Sequence, residues 1–428
     1  MKKYKSSFYK SVMTVASGTM IAQIITLISS PFLTRIYGAE EYGTLGIFLS
    51  FTMILVPIGA LQLPTAIVLP KNDKEIYPII RYSILISFLN ALILTFLLVC
   101  FGQLLIDRFD FKISEKLLFL LPVYIIFSVF FDIMKQLAIR NEKFGVKAYV
   151  DVQQSIIYNV GNLILGLLHP FAISLIFMSV LNRFLHSFTM FLKLKKSSTK
   201  LLFYNIINEN KDFKTFIKKY YDFILYRSPQ VLLNGLSEAM PTFLLGLYFG
   251  PAVAGFYIIS KKTLEAPIIL IGNAIGDVFY PRINKAFNEG ANTFELLLKS
   301  NVLLAIIGCI PFSILFIFSP YIFGVIFGED WYMSGIYTRW LSIFLFFFFI
   351  TRTTIKVMPV YRIQRFHLNF TIVSTLFRVL ALIYGAQILK DDIMTIKIYS
   401  IVGAILYFYL LIHTLAISKY KTRRAKWN

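Results

Sequence analysis

The chain reads as a series of long apolar runs separated by short polar turns. Each run is long enough to cross a bilayer, which takes roughly 20 residues. The pattern predicts about twelve membrane spans, over residues 12–34, 44–69, 78–105, 117–138, 149–168, 171–192, 222–246, 254–276, 301–318, 334–357, 368–389 and 393–418. No soluble domain interrupts them. The longest polar connection, residues 193–221, divides the runs into two sets. The expected fold is an all-α, polytopic membrane protein with an N-terminal lobe over 1–195, a cytoplasmic linker over 196–221 and a C-terminal lobe over 222–428.

A repeat supports two related halves. The turn Arg35-Ile36-Tyr37-Gly38-Ala39-Glu40-Glu41-Tyr42-Gly43 joins the first two runs, and its punctuation returns in Leu247-Tyr248-Phe249-Gly250-Pro251-Ala252-Val253-Ala254-Gly255. Gly38 matches Gly250, Gly43 matches Gly255 and Tyr37 falls on Phe249 at one constant offset. A second pair, Arg140-Asn141-Glu142-Lys143-Phe144 and Arg362-Ile363-Gln364-Arg365-Phe366, matches at a slightly larger offset. An even number of spans per half makes the two six-helix lobes parallel repeats.

Composition narrows the class. Apolar residues make up 57% of the chain and mean hydropathy is +0.70, which excludes an ordinary soluble domain. The formal net charge is +21, but the basic residues concentrate in alternate loops. That is the signature of membrane topology rather than nucleic-acid binding. It places both termini in the cytoplasm. The first apolar run is too long for a secretory signal and is expected to be a retained helix. Cys100 and Cys309 each lie inside an apolar run and provide no disulfide or metal-ligand spacing.

Basic residues also occur within or beside the runs: Arg35, Lys135, Arg183, Arg227, Lys261, Lys262, Arg339, Arg352, Lys356 and Arg378. A charge at the centre of a span costs about 2.5–3.5 kcal/mol on insertion scales, so it faces a wet interior, pairs with an acid, or snorkels. Arg352 and Lys356, near a helix end, fit snorkelling. Lys135 follows Asp132 by three residues and fits an internal ion pair. Arg35, at the outer edge of its run, fits an anchor or a functional group equally.

Arg183 and Arg378 fall near the middle of their runs. Ser179, Asn182, His186 and Ser187 share a stripe with Arg183, and Thr371, Ser374 and Thr375 share one with Arg378. The seventh run carries Arg227, Gln230, Asn234 and Glu238 on one face, and the eighth carries Lys261, Lys262, Glu265, Asn273 and Asp277. The first has Thr19, Gln23, Thr26 and Ser30, and the fifth has Asp151, Gln154, Tyr158 and Asn162. Such faces imply either a shared hydrated cavity or interhelical hydrogen bonding with no transport role. Pro57 and Pro64 in the second run and Pro241 in the seventh are expected to kink their helices.

No Walker-type phosphate loop, His-Glu-x-x-His or Gly-x-Ser-x-Gly is present. No cofactor, metal site or enzymatic chemistry is expected. Of the four histidines, only His186 suits proton coupling.

The two glycine-bounded turns, the 140–144 loop and the paired six-helix halves resemble the polysaccharide transporters, the O-antigen or lipid-linked oligosaccharide flippases of the multidrug/oligosaccharidyl-lipid/polysaccharide exporter superfamily. The resemblance covers nearly the whole chain. It implies a V-shaped, two-lobed bundle in a bacterial inner membrane. Such a bundle moves an undecaprenyl-diphosphate-linked oligosaccharide from the cytoplasmic to the periplasmic leaflet, beside membrane lipids and other polysaccharide assembly proteins. Arg183, Arg227, Lys261, Lys262 and Arg378, with Arg35, are then the candidate contacts to the anionic head. Glu238, Glu265 and Asp277 would carry a coupling H+ or Na+, or neutralise those cations. A multidrug antiporter of the same superfamily is the alternative, although basic residues outnumber acids within the spans. A membrane glycan polymerase or ligase would need a sizeable outer loop, and the outer connections here are short.

Overall fold

The computed structural model describes residues 2–70, 72–109, 115–194 and 213–425. Among them there is helix and turn but no strand. The long helices are α1 (Lys2–Ile36), α2 (Ala39–Gly59), α3 (Ile76–Phe109), α4 (Leu120–Arg140), α5 (Phe144–Leu168), α6 (Ala172–Leu194), α7 (Phe213–Asp222), α8 (Ser228–Phe249), α9 (Pro251–Pro267), α10 (Asn273–Asn288), α11 (Thr293–Phe327), α12 (Tyr332–Val357), α13 (Gln364–Tyr384) and α14 (Asp392–Ala425).

Among the described residues, nine helices are long and apolar enough to cross a membrane, so the protein is a multi-pass membrane protein. Three expected spans fall outside the nine: α5, α8 and the α9–α10 segment. All three are helical over their expected lengths. They are also the spans whose sequences carry the charged stripes around Asp151, Arg227 and Lys261. Their lower hydropathy is the direct consequence of those polar faces.

The chain forms two compact units, Met1–Pro251 and Ala252–Asn428. In the first, α1 lies along α5. Tyr37, from the Arg35–Gly43 turn, is fully buried (0% exposed) and donates its hydroxyl to the Asn162 carbonyl at 3.0 Å. Glu41 of the same turn accepts the Ala172 N–H at 2.5 Å, capping α6 where backbone donors lack intrahelical partners. The turn therefore ties α1 and α2 to both α5 and α6. Helix α8 crosses α2 at backbone distance: a Cβ at Gly235 would meet the Met53 carbonyl oxygen at 2.3 Å. Nearby, Ser228 donates to the Pro57 carbonyl at 3.3 Å.

The second apolar run is not one helix. α2 ends at Gly59, Leu61 and Gln62 adopt positive φ of 50° and 57°, and a 3-10 turn follows over Leu63–Val68. Pro64 thus begins a new segment instead of kinking an existing helix, since proline is tolerated where a helical turn starts. Arg140 holds that segment down, donating to the carbonyls of Ile67 (3.1 Å) and Pro70 (2.5 Å) and to Asp73 (3.0 Å).

The second unit contains the α11–α12 hairpin, where Ser319 donates to the Gly335 carbonyl at 2.7 Å. The Asn301 side-chain oxygen accepts from Thr353 at 2.6 Å and Thr354 at 3.3 Å. Tyr337 of α12 donates to Asp392 of α14. α11 starts at Thr293, before the apolar run at 301. The Asn292 side chain caps the Glu295 N–H at 3.2 Å and also reaches its carboxylate, a reciprocal cap legible as Asn-x-x-Glu.

The repeated turns differ in detail. Gly38 is extended at φ −70°, whereas Gly250 sits at φ +91°, a conformation that strains any residue with a side chain. In the second pair, the shared geometry lies two residues from the letter match. Lys143 N–H bonds the Ala138 carbonyl (2.8 Å) as Ile363 N–H bonds Met358 (3.0 Å). The positive-φ residues are Glu142 and Arg362. The equivalence is therefore Glu142 with Arg362, not Arg140 with Arg362, because the helix-terminating turn, and not its side chains, is what repeats.

Helix α7 docks its apolar face into the first unit. Phe216 and Tyr220 are buried with Leu63, Ile133 and Met190. Lys219 of α7 reaches Glu75 at 2.7 Å, and this hydrogen bond holds its ammonium above the usual lysine range. That pair is largely in water, where such contacts contribute about 0–1 kcal/mol. Phe216→Ala should therefore lower stability by about 3–5 kcal/mol, while Lys219→Ala changes it by less than about 1 kcal/mol. Thermal unfolding of the purified variants in detergent checks the order, and a larger loss for Lys219→Ala would contradict it.

Candidate functional site

The mid-run arginines emerge as a matched pair, one in each unit. In the first, Arg183 of α6 donates through Nη2 to the Tyr124 hydroxyl at 3.0 Å. Its guanidinium carbon lies 5.3 Å from the Tyr124 ring centre and 5.2 Å from that of Phe131. It is half-buried. Asp132 interacts electrostatically with both Arg183 and Lys135, but among the described residues Arg183 forms no ion pair within 4 Å. The expected Asp132–Lys135 ion pair is likewise not closed to that distance.

In the second unit, Arg378 of α13 donates to the Ser374 carbonyl at 3.2 Å and to the Tyr399 hydroxyl at 3.4 Å. It faces the rings of Phe344 at 5.6 Å and Tyr399 at 6.0 Å. Each arginine thus rests on two aromatic faces and one tyrosine hydroxyl, contributed by α4 for Arg183 and by α12 and α14 for Arg378. Cation–π contacts contribute about 0.5–2 kcal/mol and a hydrogen bond to a charged group about 1.5–3 kcal/mol. Together these offset part of the cost of holding the cation in the span.

The other candidates are placed differently. Lys261 lies 3.7 Å from Glu265, one turn along α9, so that carboxylate neutralises a neighbouring cation. Lys262 is half-buried on the same helix. Arg227 is exposed and donates to Gln230 at 3.2 Å. Glu238, two turns further along α8, is exposed, as is Arg35 at the end of α1. The Asp277 side chain lies outside the described residues. Arg352 stacks on Phe348 at 4.2 Å, and Arg339 donates to the carbonyls of Phe316 and Ile317 at 3.1 and 3.2 Å.

The polar faces of the first and fifth spans meet. Thr26 and Ser155 lie 3.1 Å apart, and Asn159 bonds across the same seam at 3.3 Å. Toward α6, Gln154 donates to Thr189 at 3.1 Å and Tyr158 meets Ser179 at 3.2 Å. These stripes are interhelical hydrogen-bond seams within one unit. Tyr124 and Tyr399 escaped sequence reasoning because an aromatic in an apolar run carries no mark of contact with a cation. Lys147 lies in the first turn of α5 and pairs with Asp151 at 2.5 Å. Its i,i+4 spacing from that acid was the available signal.

A family model described as polysaccharide biosynthesis protein matches residues 32–335. No curated protein matches the chain. The fold resembles those of several solved structures. A multidrug resistance MATE family transporter of the MOP superfamily, in an inward-facing conformation, aligns with a TM-score of 0.72 at 17% identity, covering 97% of this chain and 99% of that one. The lipid II flippase MurJ, in an inward closed conformation, aligns with a TM-score of 0.74 at 15% identity, covering 94% and 87%. A MOP superfamily transporter from Pyrococcus furiosus aligns with a TM-score of 0.63 at 16% identity, covering 97% and 96%.

The two-part support of Arg183 has a measurable consequence. Tyr124→Phe keeps the ring and removes the hydroxyl, at a cost of about 1.5–3 kcal/mol. Tyr124→Leu also removes the ring and should cost a further 0.5–2 kcal/mol or so. Thermal unfolding should rank wild type above Phe above Leu, and equal values for Phe and Leu would show that the ring face contributes nothing.

Proposed function

We propose a function from one premise: the chain belongs to the polysaccharide biosynthesis protein family, whose model spans most of it. Its reading is a flippase. It carries an undecaprenyl-diphosphate-linked oligosaccharide, an O-antigen or related repeat unit, from the cytoplasmic to the periplasmic leaflet of a bacterial inner membrane. Both termini are cytoplasmic, and the spans work as two six-helix lobes joined through residues 196–221.

The observation that carries this reading is the pair of aromatic-supported arginines. Arg183 and Arg378 each lie against two aromatic rings within their own units. A guanidinium presents five N–H groups in a planar fork. Arg183 gives one donor group to Tyr124, which leaves the rest of the fork for phosphate oxygens. Arg35 and Arg227 in the first unit and Lys262 in the second are further candidate contacts to the anionic head, with Lys261 tempered by Glu265. The polyprenyl tail remains in lipid while the diphosphate and sugars cross by alternating access. Movement is coupled to H+ or Na+ or follows the substrate's own gradient. One solved structure of like fold is named as a lipid II flippase, which supports the reading.

A multidrug antiporter is the second reading, supported by the likeness to the MATE transporter. A cationic drug would need carboxylates where this chain holds arginines.

Arg183→Ala and Arg378→Ala should each lower transfer of a fluorescent polyprenyl-diphosphate oligosaccharide in proteoliposomes at least tenfold, with unchanged protein level. Undiminished transfer in both variants removes them from the path. Transfer of an organic cation instead of the glycolipid would establish the antiporter reading.

A further inference from the structure

One cluster of titratable groups lies beside Arg183 and plays no part in holding it. His186 follows Arg183 by one helical turn on α6, and its Nε2 lies 3.1 Å from Asp151 Oδ1 on α5. The other carboxylate oxygen of Asp151 accepts from Lys147 Nζ at 2.5 Å. The histidine and aspartate side chains are each 15% exposed, removed from bulk water yet reachable. The Phe131 ring packs 4.2 Å from the imidazole and also touches the Arg183 guanidinium.

An ionised carboxylate only accepts hydrogen bonds. Nε2 therefore carries the hydrogen directed at Asp151, and Nδ1 holds the lone pair. A proton arriving from water forms a bond to Nδ1 and gives an imidazolium, with its positive charge beside Arg183. The charged groups acting on the imidazole are Lys147 and Asp151 from α5 and Arg183 from its own helix, while Asp132 of α4 interacts with Arg183 and Lys135. Lys193, two turns further along α6, lies over the Tyr149 ring. Glu41 of α2 meets α6 at the opposite end, at Ala172.

We infer that His186, oriented by Asp151, is a proton-binding site positively linked to anion binding at Arg183. The inference rests on the reading of Arg183 as a contact for an anionic lipid head. A proton on His186 adds one positive charge to the surroundings of that head. By thermodynamic reciprocity, the bound anion favours the proton as much as the proton favours the anion. Proton and anion therefore enter this unit together instead of exchanging. Loss of that proton releases both.

The test uses the full-length protein in detergent and a short-chain polyprenyl diphosphate capped with a monosaccharide, whose phosphodiesters stay ionised near neutral pH. Titration calorimetry in two buffers of different ionisation heat should register proton uptake on binding. Affinity should fall on the order of tenfold from the acid to the alkaline limb of the binding curve, as expected for one added charge a helical turn from Arg183 in a partly screened site. His186→Gln should bind with the weaker, high-pH affinity at every pH and take up no proton. Proton release on binding, or no exchange with buffer, in the wild-type protein would overturn the inference without any variant. Retained uptake in His186→Gln would move the site elsewhere. Absence of binding by the wild type at any pH would instead defeat the flippase reading.

Discussion

Charge inside a hydrocarbon slab must be either cancelled or supported, and that constraint organises this protein. Cancelling a lysine with a carboxylate one turn away, as Glu265 does for Lys261, removes the cost together with the field. Supporting an arginine on aromatic faces and a tyrosine hydroxyl recovers energy comparable to the insertion penalty while the field survives. Both devices occur here, and they sort the basic residues by what they remain able to bind. The same constraint explains α5, α8 and the α9–α10 segment. Their polar stripes lower hydropathy, and in α5 that stripe is hydrogen-bonded to α1 and α6.

The turn at Gly38 shows how strongly a short motif can couple distant elements. Tyr37 and Glu41 lie on either side of Gly38, and between them they bond α5 and the start of α6. The related turn at Gly250 needs glycine for a different reason, its positive φ. Related punctuation thus survives in two places while the physical demand on the glycine differs. The compact units part at Pro251, just after that second turn, so α8 is grouped with α1–α7 through its backbone-close crossing of α2.

Periodicity made the spans legible because bilayer thickness sets their length. It could not reveal the break after Gly59, where Leu61 and Gln62 take left-handed backbone without glycine and Arg140 folds back from eighty residues or so away to hold the segment. Nor could it show that α10 and α11 extend past their apolar cores, since those ends are set by caps such as Asn292 with Glu295. In the candidate site the charges were visible and their partners were not. Arg183 and Arg378 stood out as costly residues, whereas Tyr124, Phe131, Phe344 and Tyr399 looked like ordinary apolar filling. Sequence reports the cost of a buried charge, but the compensation comes from helices far along the chain.

That difference bears on cargo. A fold shared at 15–17% identity serves transporters whose names assign them unlike substrates, so architecture alone does not choose among them. The choice lies in the sign of the charge that the bundle supports without cancelling. Here the supported groups are guanidiniums. The acids nearest the first arginine are engaged otherwise: Asp151 holds Lys147 and His186, and Asp132 stands off beyond ion-pair distance while its field is shared between Lys135 and Arg183. A site for cations would invert that arrangement, leaving carboxylates supported by donors and arginines paired away. On the flippase reading proposed above, the cargo facing Arg183 would be an anion, and paired oxygens of a lipid-borne diphosphate would match its guanidinium fork.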